Sequence, residues 1–140
     1  MTRALQGGVI MCGIAGIIGS VDERNRSALE RMNRAMAHRG PDGAGIWTST
    51  PDARGWGALL GHRRLAILDL TDAGAQPMVD PRSGQAIVFN GEIYNFRSIR
   101  ELLARSGEAV ASTGDTEVLL RALVAMGLDA LPRLRGMFAF

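Results

Sequence analysis

Cys12 is the only thiol in the chain and stands directly after Met11 in the stretch "GGVIMCGIAGIIG". A free cysteine packs as a small hydrophobe, so an inert buried role is open to it. A nucleophilic role requires a base. Two histidines are present, His38 and His62, and a cysteine–histidine dyad is one arrangement, although no acid partner for the imidazole is evident. A second arrangement needs no further side chain: if the mature chain begins at the nucleophile, its own α-amine serves as the base. Met11 makes this concrete, because a Met-Cys start is trimmed when the second residue is small, leaving Cys12 first. Reference pKa values of about 7.7 to 8.0 for an α-amine and about 8.5 for a thiol make proton transfer between them inexpensive near neutral pH. Lipid attachment at Cys12 fits poorly, since the residue before it is large and the apolar run is only Val9, Ile10 and Met11.

Other residues carry chemistry that has a plain alternative. "NG" at Asn90 and Gly91 reads as a hairpin turn or as a side-chain amide beside a freely approached backbone N–H. Arg64 is a strand arginine or a paired-contact carboxylate ligand. Asp115 is a first-turn helix acid favoured by the dipole or a counterion for an ammonium group. One cysteine and two histidines match no zinc spacing, so no metal site is expected.

The elements that must position these residues follow from pattern. "CGIAGIIG" reads as a buried strand, and its glycines match no phosphate-binding spacing. "DERNRSALERMNRAMAHRG" reads as a helix with Leu29, Met32 and Met36 inward, an acidic start and a stop at Gly40. "HRGPDGAG" is turn chemistry. "GIWTS", "WGALLGHRRLAILDL" and "QAIVFNGEIY" read as three strands. "NFRSIRELLARSG", with Ile99, Leu102 and Leu103 on one face, and "GDTEVLLRALVAMG", with Val118, Leu119, Ala122, Leu123 and Met126, read as helices closing on glycine. "RGMFAF" reads as a last strand. The order β, α, β, β, β, α, α, β predicts an α+β fold with mainly antiparallel sheet covered by helices.

Composition narrows the function classes. The chain has 140 residues, 46% apolar content and a net charge of +2, the size and balance of one globular domain. All sixteen basic residues are arginine, scattered among fourteen acids, so no nucleic-acid role is expected. No apolar run approaches the ~20 residues of a spanning helix, and no membrane role is expected. A lone cysteine fits a reducing compartment, and cytoplasm is the expected location.

The blocks "MCGIAGI", "HRGPDGAG", "GHRRLAILDL", "GAQPM", "VFNGEIYNF", "TGDTEVLLRAL" and "RGMFAF" occur in the order seen in class II glutamine amidotransferases, and the series resembles the glutaminase domain of asparagine synthetases. The resemblance implies an N-terminal nucleophile hydrolase fold, a four-layer αββα sandwich of antiparallel sheets, truncated here at its C-terminal side. It implies hydrolysis of L-glutamine to glutamate and ammonia through a thioester on Cys12. Asn90 and Gly91 are then the oxyanion donors. Arg64 receives the substrate carboxylate, Asp115 its ammonium, Glu92 helps to hold the amino end, and backbone groups of Leu65 and Ile67 line the pocket. "HRGPDG" shapes a loop near the site, and neither histidine is assigned to catalysis.

The resemblance covers residues 12–140, expected to be an incomplete amidotransferase domain. Residues 1–11 are expected to be an extension that is absent or removed, since retaining them turns the α-amine of Cys12 into an amide. The serine-glycine-glycine phosphate loop of the synthetase half does not occur. No cofactor is therefore expected in this segment, while ATP and Mg belong to a synthetase domain beyond Phe140 that receives the ammonia for asparagine synthesis from aspartate. A homodimer, another ammonia acceptor, and a catalytically silent domain for assembly or glutamine sensing stay open as alternatives.

Overall fold

The computed structural model describes residues 11–65 and 74–140. Strand β1 (Gly13–Ser20) is followed by helix α1 (Glu23–Ala35), strands β2 (Gly43–Thr48) and β3 (Trp56–Arg64), two short pairing segments β4 (Met78–Val79) and β5 (Ala86–Ile87), and strand β6 (Asn90–Ile93). Helices α2 (Phe96–Arg105) and α3 (Asp115–Met126), a 3-10 segment (Gly127–Arg133) and strand β7 (Gly136–Ala139) complete the chain. The fold is α+β, and strand pairing among the described residues is antiparallel throughout.

β3 is the centre of a three-stranded sheet, with β1 on one side and β2 on the other. Its register sets Gly13 opposite Arg63 and Gly43 opposite Arg64, so Cys12 and the loop before β2 meet at the C-terminal end of β3. α1 covers this sheet. Its start is set by Asp22, whose carboxylate accepts the Asn25 N–H at 2.8 Å, and Leu29 is fully buried against Ala15 and Leu59. Truncating a leucine in such a position typically costs about 2–5 kcal/mol.

The larger core is a separate cluster, distinct from the one under α1. Ile87, Phe89 and Ile93 pack with Ile99 and Leu103 of α2 and with Val118, Leu119 and Ala122 of α3. α3 is further fixed by Arg121, which pairs with the fully buried Asp80 just after β4. Asp80 also accepts the Ser83 N–H at 2.9 Å, and hydrogen bonding to Ser83 holds its carboxyl below the usual carboxylate range.

Four details differ from the sequence expectation. α1 stops at Ala35 rather than near Gly40, and Asn33, not Met32, joins Leu29 inside, because the Asn33 amide donates to the Gly45 carbonyl of β2 at 3.2 Å. In α2, Leu102 lies outside the buried face formed by Ile99 and Leu103. The "QAIVFNGEIY" stretch is two strands, broken at Val88 and Phe89, because β5 pairs with β4 whereas β6 pairs with β7. Asn90 and Gly91 therefore lie within a strand, not in a hairpin turn. The helix ends at Gly107 and Gly127 do follow the sequence reading. No helix among the described residues is long and apolar enough to cross a membrane.

Candidate active site

Cys12 leads into β1, and its Sγ lies on the backbone of Leu65, the residue after β3. The Leu65 N–H donates to Sγ at 3.3 Å, and the thiol faces the Leu65 carbonyl at 3.7 Å. The same cysteine is held through its own carbonyl, which accepts from Arg39 Nε at 3.2 Å. Arg39 belongs to the "HRGPDG" loop. Gly40 in that loop has no room for a Cβ, which would collide with the carbonyl group of Arg63. Two residues on, the Asp42 N–H donates to the Arg64 carbonyl at 3.0 Å. The loop is thus a clasp between the nucleophile and the end of β3, consistent with its turn-rich composition.

Arg64 closes β3 opposite Gly43, one residue before the backbone that holds the thiol. Leu65 and Arg64 are therefore brought beside Cys12. Ile67 lies outside the described residues.

Asn90, Gly91 and Glu92 are consecutive in β6, paired with Ala139, Phe138 and Met137 of β7. Gly91 has φ 146°, a backbone conformation that side chains rarely adopt, and an added Cβ would collide with the Met137 carbonyl and the Phe138 backbone. Only glycine fits there. Asp115 is the first residue of α3, is buried, and accepts the Ile93 N–H at 2.9 Å. The first acid of α3 and the strand that carries Asn90 and Gly91 are thus directly joined, a link that residue spacing alone did not show.

His62 connects the two halves of the site. It is 1% exposed, and its Nε2 lies 3.2 Å from the Phe89 carbonyl, immediately before Asn90. Burial lowers its pKa to about 4, so the ring is neutral at physiological pH. The Nε2–H tautomer donates to Phe89, and Nδ1 has no partner among the described residues. The imidazole is thereby committed to Phe89 and not to the thiol. His38 is exposed, with Nδ1 3.0 Å from the Ala35 carbonyl. The cysteine–histidine dyad left open by the sequence finds no support in this geometry.

Residues 11–140 match the family model described as a glutamine amidotransferase domain. The chain belongs to the glutamine amidotransferase family. Among curated relatives, this amidotransferase chain is 39% identical to asparagine synthetase B (glutamine-hydrolyzing) of Escherichia coli over 135 residues, 93% of this chain and 22% of that protein. It is 40% identical to a Methanocaldococcus jannaschii protein provisionally named glutamine-hydrolyzing asparagine synthetase 2, over 93% of this chain and 27% of that protein. Asparagine synthetase 3 of Bacillus subtilis is 34% identical over 93% of this chain and 21% of its own length. The chain therefore spans about a quarter of the length of the relatives it matches.

The family expectation is borne out, as is an α+β fold with antiparallel sheets. The sequence reading gave no role to Gln76, His62 or Arg39 of this amidotransferase. Their side chains bind backbone groups distant in sequence, for which no local pattern exists. The one available signal was that each stands inside a quoted block: "GAQPM", "GHRRL" and "HRGPDG".

Proposed function

We propose that Cys12 is the nucleophile of a glutaminase site whose ammonia serves ATP-dependent synthesis of asparagine from aspartate. The observation that carries the reading is the seat of Cys12 Sγ on the Leu65 backbone, next to Arg64, in a chain of the amidotransferase family. A backbone N–H on sulfur favours the charged nucleophile, and Arg64 beside it suits the carboxylate of glutamine.

The thiol proton passes to the α-amine of Cys12, and sulfur attacks the side-chain amide carbon of glutamine. The resulting oxyanion takes hydrogen bonds from the Asn90 amide and the Gly91 N–H. The ammonium then returns its proton to the departing nitrogen, ammonia leaves, and a glutamyl thioester remains. Water, deprotonated by the same amine, releases glutamate and restores the thiol. Asp115 holds the substrate ammonium with help from Glu92, and backbone groups of Leu65 and Ile67 line the pocket.

The scheme requires residues 1–11 to be absent from the working enzyme, with the amidotransferase domain beginning at Cys12. A four-layer αββα sandwich is the complete architecture this reading favours, with ATP and Mg bound in a separate synthetase domain that consumes the ammonia. The proposed setting is the cytoplasm. The names of the relatives, glutamine-hydrolyzing asparagine synthetases, support this choice of acceptor.

The test compares protein beginning at Cys12 with protein that retains Met11, by intact mass and by glutamate and ammonia release from glutamine. The first should turn over, and the second should be slower by at least about 10²-fold, the typical worth of a positioned base. Equal rates in the two would overturn the amine mechanism.

A further inference from the structure

We infer that Gln76 is a positioning residue that keeps the oxyanion donors and the substrate-ammonium acid in one rigid unit. The inference rests on the glutaminase reading above. The Gln76 Oε1 accepts the Phe89 N–H at 2.6 Å, and its Nε2 donates to Thr116 Oγ1 at 3.4 Å. Phe89 directly precedes Asn90, and Thr116 directly follows Asp115. One carboxamide therefore spans the entry to β6 and the first turn of α3.

The same strand is held again at its other end, where Asp115 takes the Ile93 N–H. Antiparallel ladders alternate which residues point their N–H at the partner strand. The Tyr94 N–H goes to the Arg135 carbonyl of the β7 side at 2.7 Å, which leaves the odd-numbered amides of β6 on the opposite edge. Phe89, Gly91 and Ile93 share that edge. Gln76 occupies the first amide and Asp115 the third, so the Gly91 N–H lies midway between two anchored neighbours. His62 secures the Phe89 carbonyl as well, and both polar groups of that peptide residue are thereby fixed.

Donors preorganised toward a developing oxyanion lose their value when they shift, and a displacement near 1 Å can cost about 10²-fold in rate. Glutamine's length and its pairing of one acceptor with one donor suit this bridge. Methionine has a similar length and can make neither bond.

The test uses the intact protein with Cys12 as first residue, and measures kcat and KM for ammonia release from glutamine. Gln76→Met should lower kcat about 10- to 100-fold and change KM by less than about threefold. Placed on Asn90→Ala, the same substitution should cost severalfold less than it does in wild type, because one of the two donors that it positions is already gone and only the Gly91 N–H is left to misplace. Gln76→Glu retains an acceptor for Phe89 and can accept from the Thr116 hydroxyl, and it should keep kcat within about tenfold of wild type. Thr116→Val cuts only the far end of the bridge and decides the matter if Gln76→Met does not fold; it should lower kcat severalfold, and again by less when Asn90 is already replaced. Unchanged kcat, or an equal loss with and without Asn90, overturns the inference. A wild-type protein that releases no ammonia, or Cys12→Ala that still does, overturns the glutaminase reading instead.

Discussion

The Cys12 sulfur and the Leu65 peptide, 53 positions apart, face each other through both polar groups of the backbone. The register of β1 on β3 produces this meeting, and the contact leaves the thiol in place without enlisting an imidazole. Cys12→Ala should therefore abolish ammonia release while glutamine still binds, because the groups proposed for the substrate's carboxylate and ammonium lie on other residues. Calorimetric titration with glutamine alongside an ammonia assay checks both halves, and unchanged turnover would remove the nucleophile from Cys12.

Asp115 has a second task besides the proposed ammonium contact, since its carboxylate holds the Ile93 N–H. Asp115→Asn retains an oxygen for that amide but loses the charge. Glutamine KM should rise about 10- to 100-fold, the usual worth of a hydrogen bond to a charged group, with little change in thermal midpoint. Asp115→Ala should also destabilise by about 1–3 kcal/mol, because it leaves the buried Ile93 amide unsatisfied. Thermal melts of the two variants separate the roles, and equal stability loss in both would show that charge, not the retained acceptor, supports β6.

Gly91 is fixed by sterics. At φ 146°, with the Met137 carbonyl against the Cβ position, Gly91→Ala must either strain the strand or push β7 away. A conformation of this kind costs of order 1–3 kcal/mol for a residue other than glycine. We expect that loss in denaturant unfolding together with a kcat reduced by about 10²-fold, as for loss of one oxyanion donor. Wild-type kcat in this variant would detach the Gly91 amide from the chemistry.

His62 predicts a pH dependence of stability. The unfolded imidazole binds a proton with an ordinary pKa of 6.5, whereas the buried ring does so only near 4. The unfolded state thus holds more protons between these values. The contribution of His62 is whole above about pH 6.5 and falls as the pH drops toward 4, by on the order of 3 kcal/mol. His62→Leu should lower stability at pH 7.5, because the Phe89 carbonyl loses its donor, and should flatten the acid slope. Urea midpoints of wild type and variant at pH 7.5, 6 and 5 check this, and parallel acid slopes would refute it.

The amino-acid sequence by itself determined the family, the antiparallel α+β class, the three helices and the candidate residues. Those properties are written in local spacing and in contiguous blocks such as "MCGIAGI", "GHRRL" and "FNGEIYN". It could not determine where α1 stops, that Asn33 replaces Met32 inside, or that "QAIVFNGEIY" breaks in two. Each of these depends on a partner from another part of the chain: the Gly45 carbonyl, and β4 and β7 as separate pairing strands. Only the tertiary structure decided that the thiol rests on Leu65, that His62 is spent on Phe89, and that Gln76 bridges β6 to α3. The physical reason is that buried backbone N–H and C=O groups must find partners. Those partners come from whichever side chains the fold brings near, and proximity in a folded chain is not encoded in neighbouring letters.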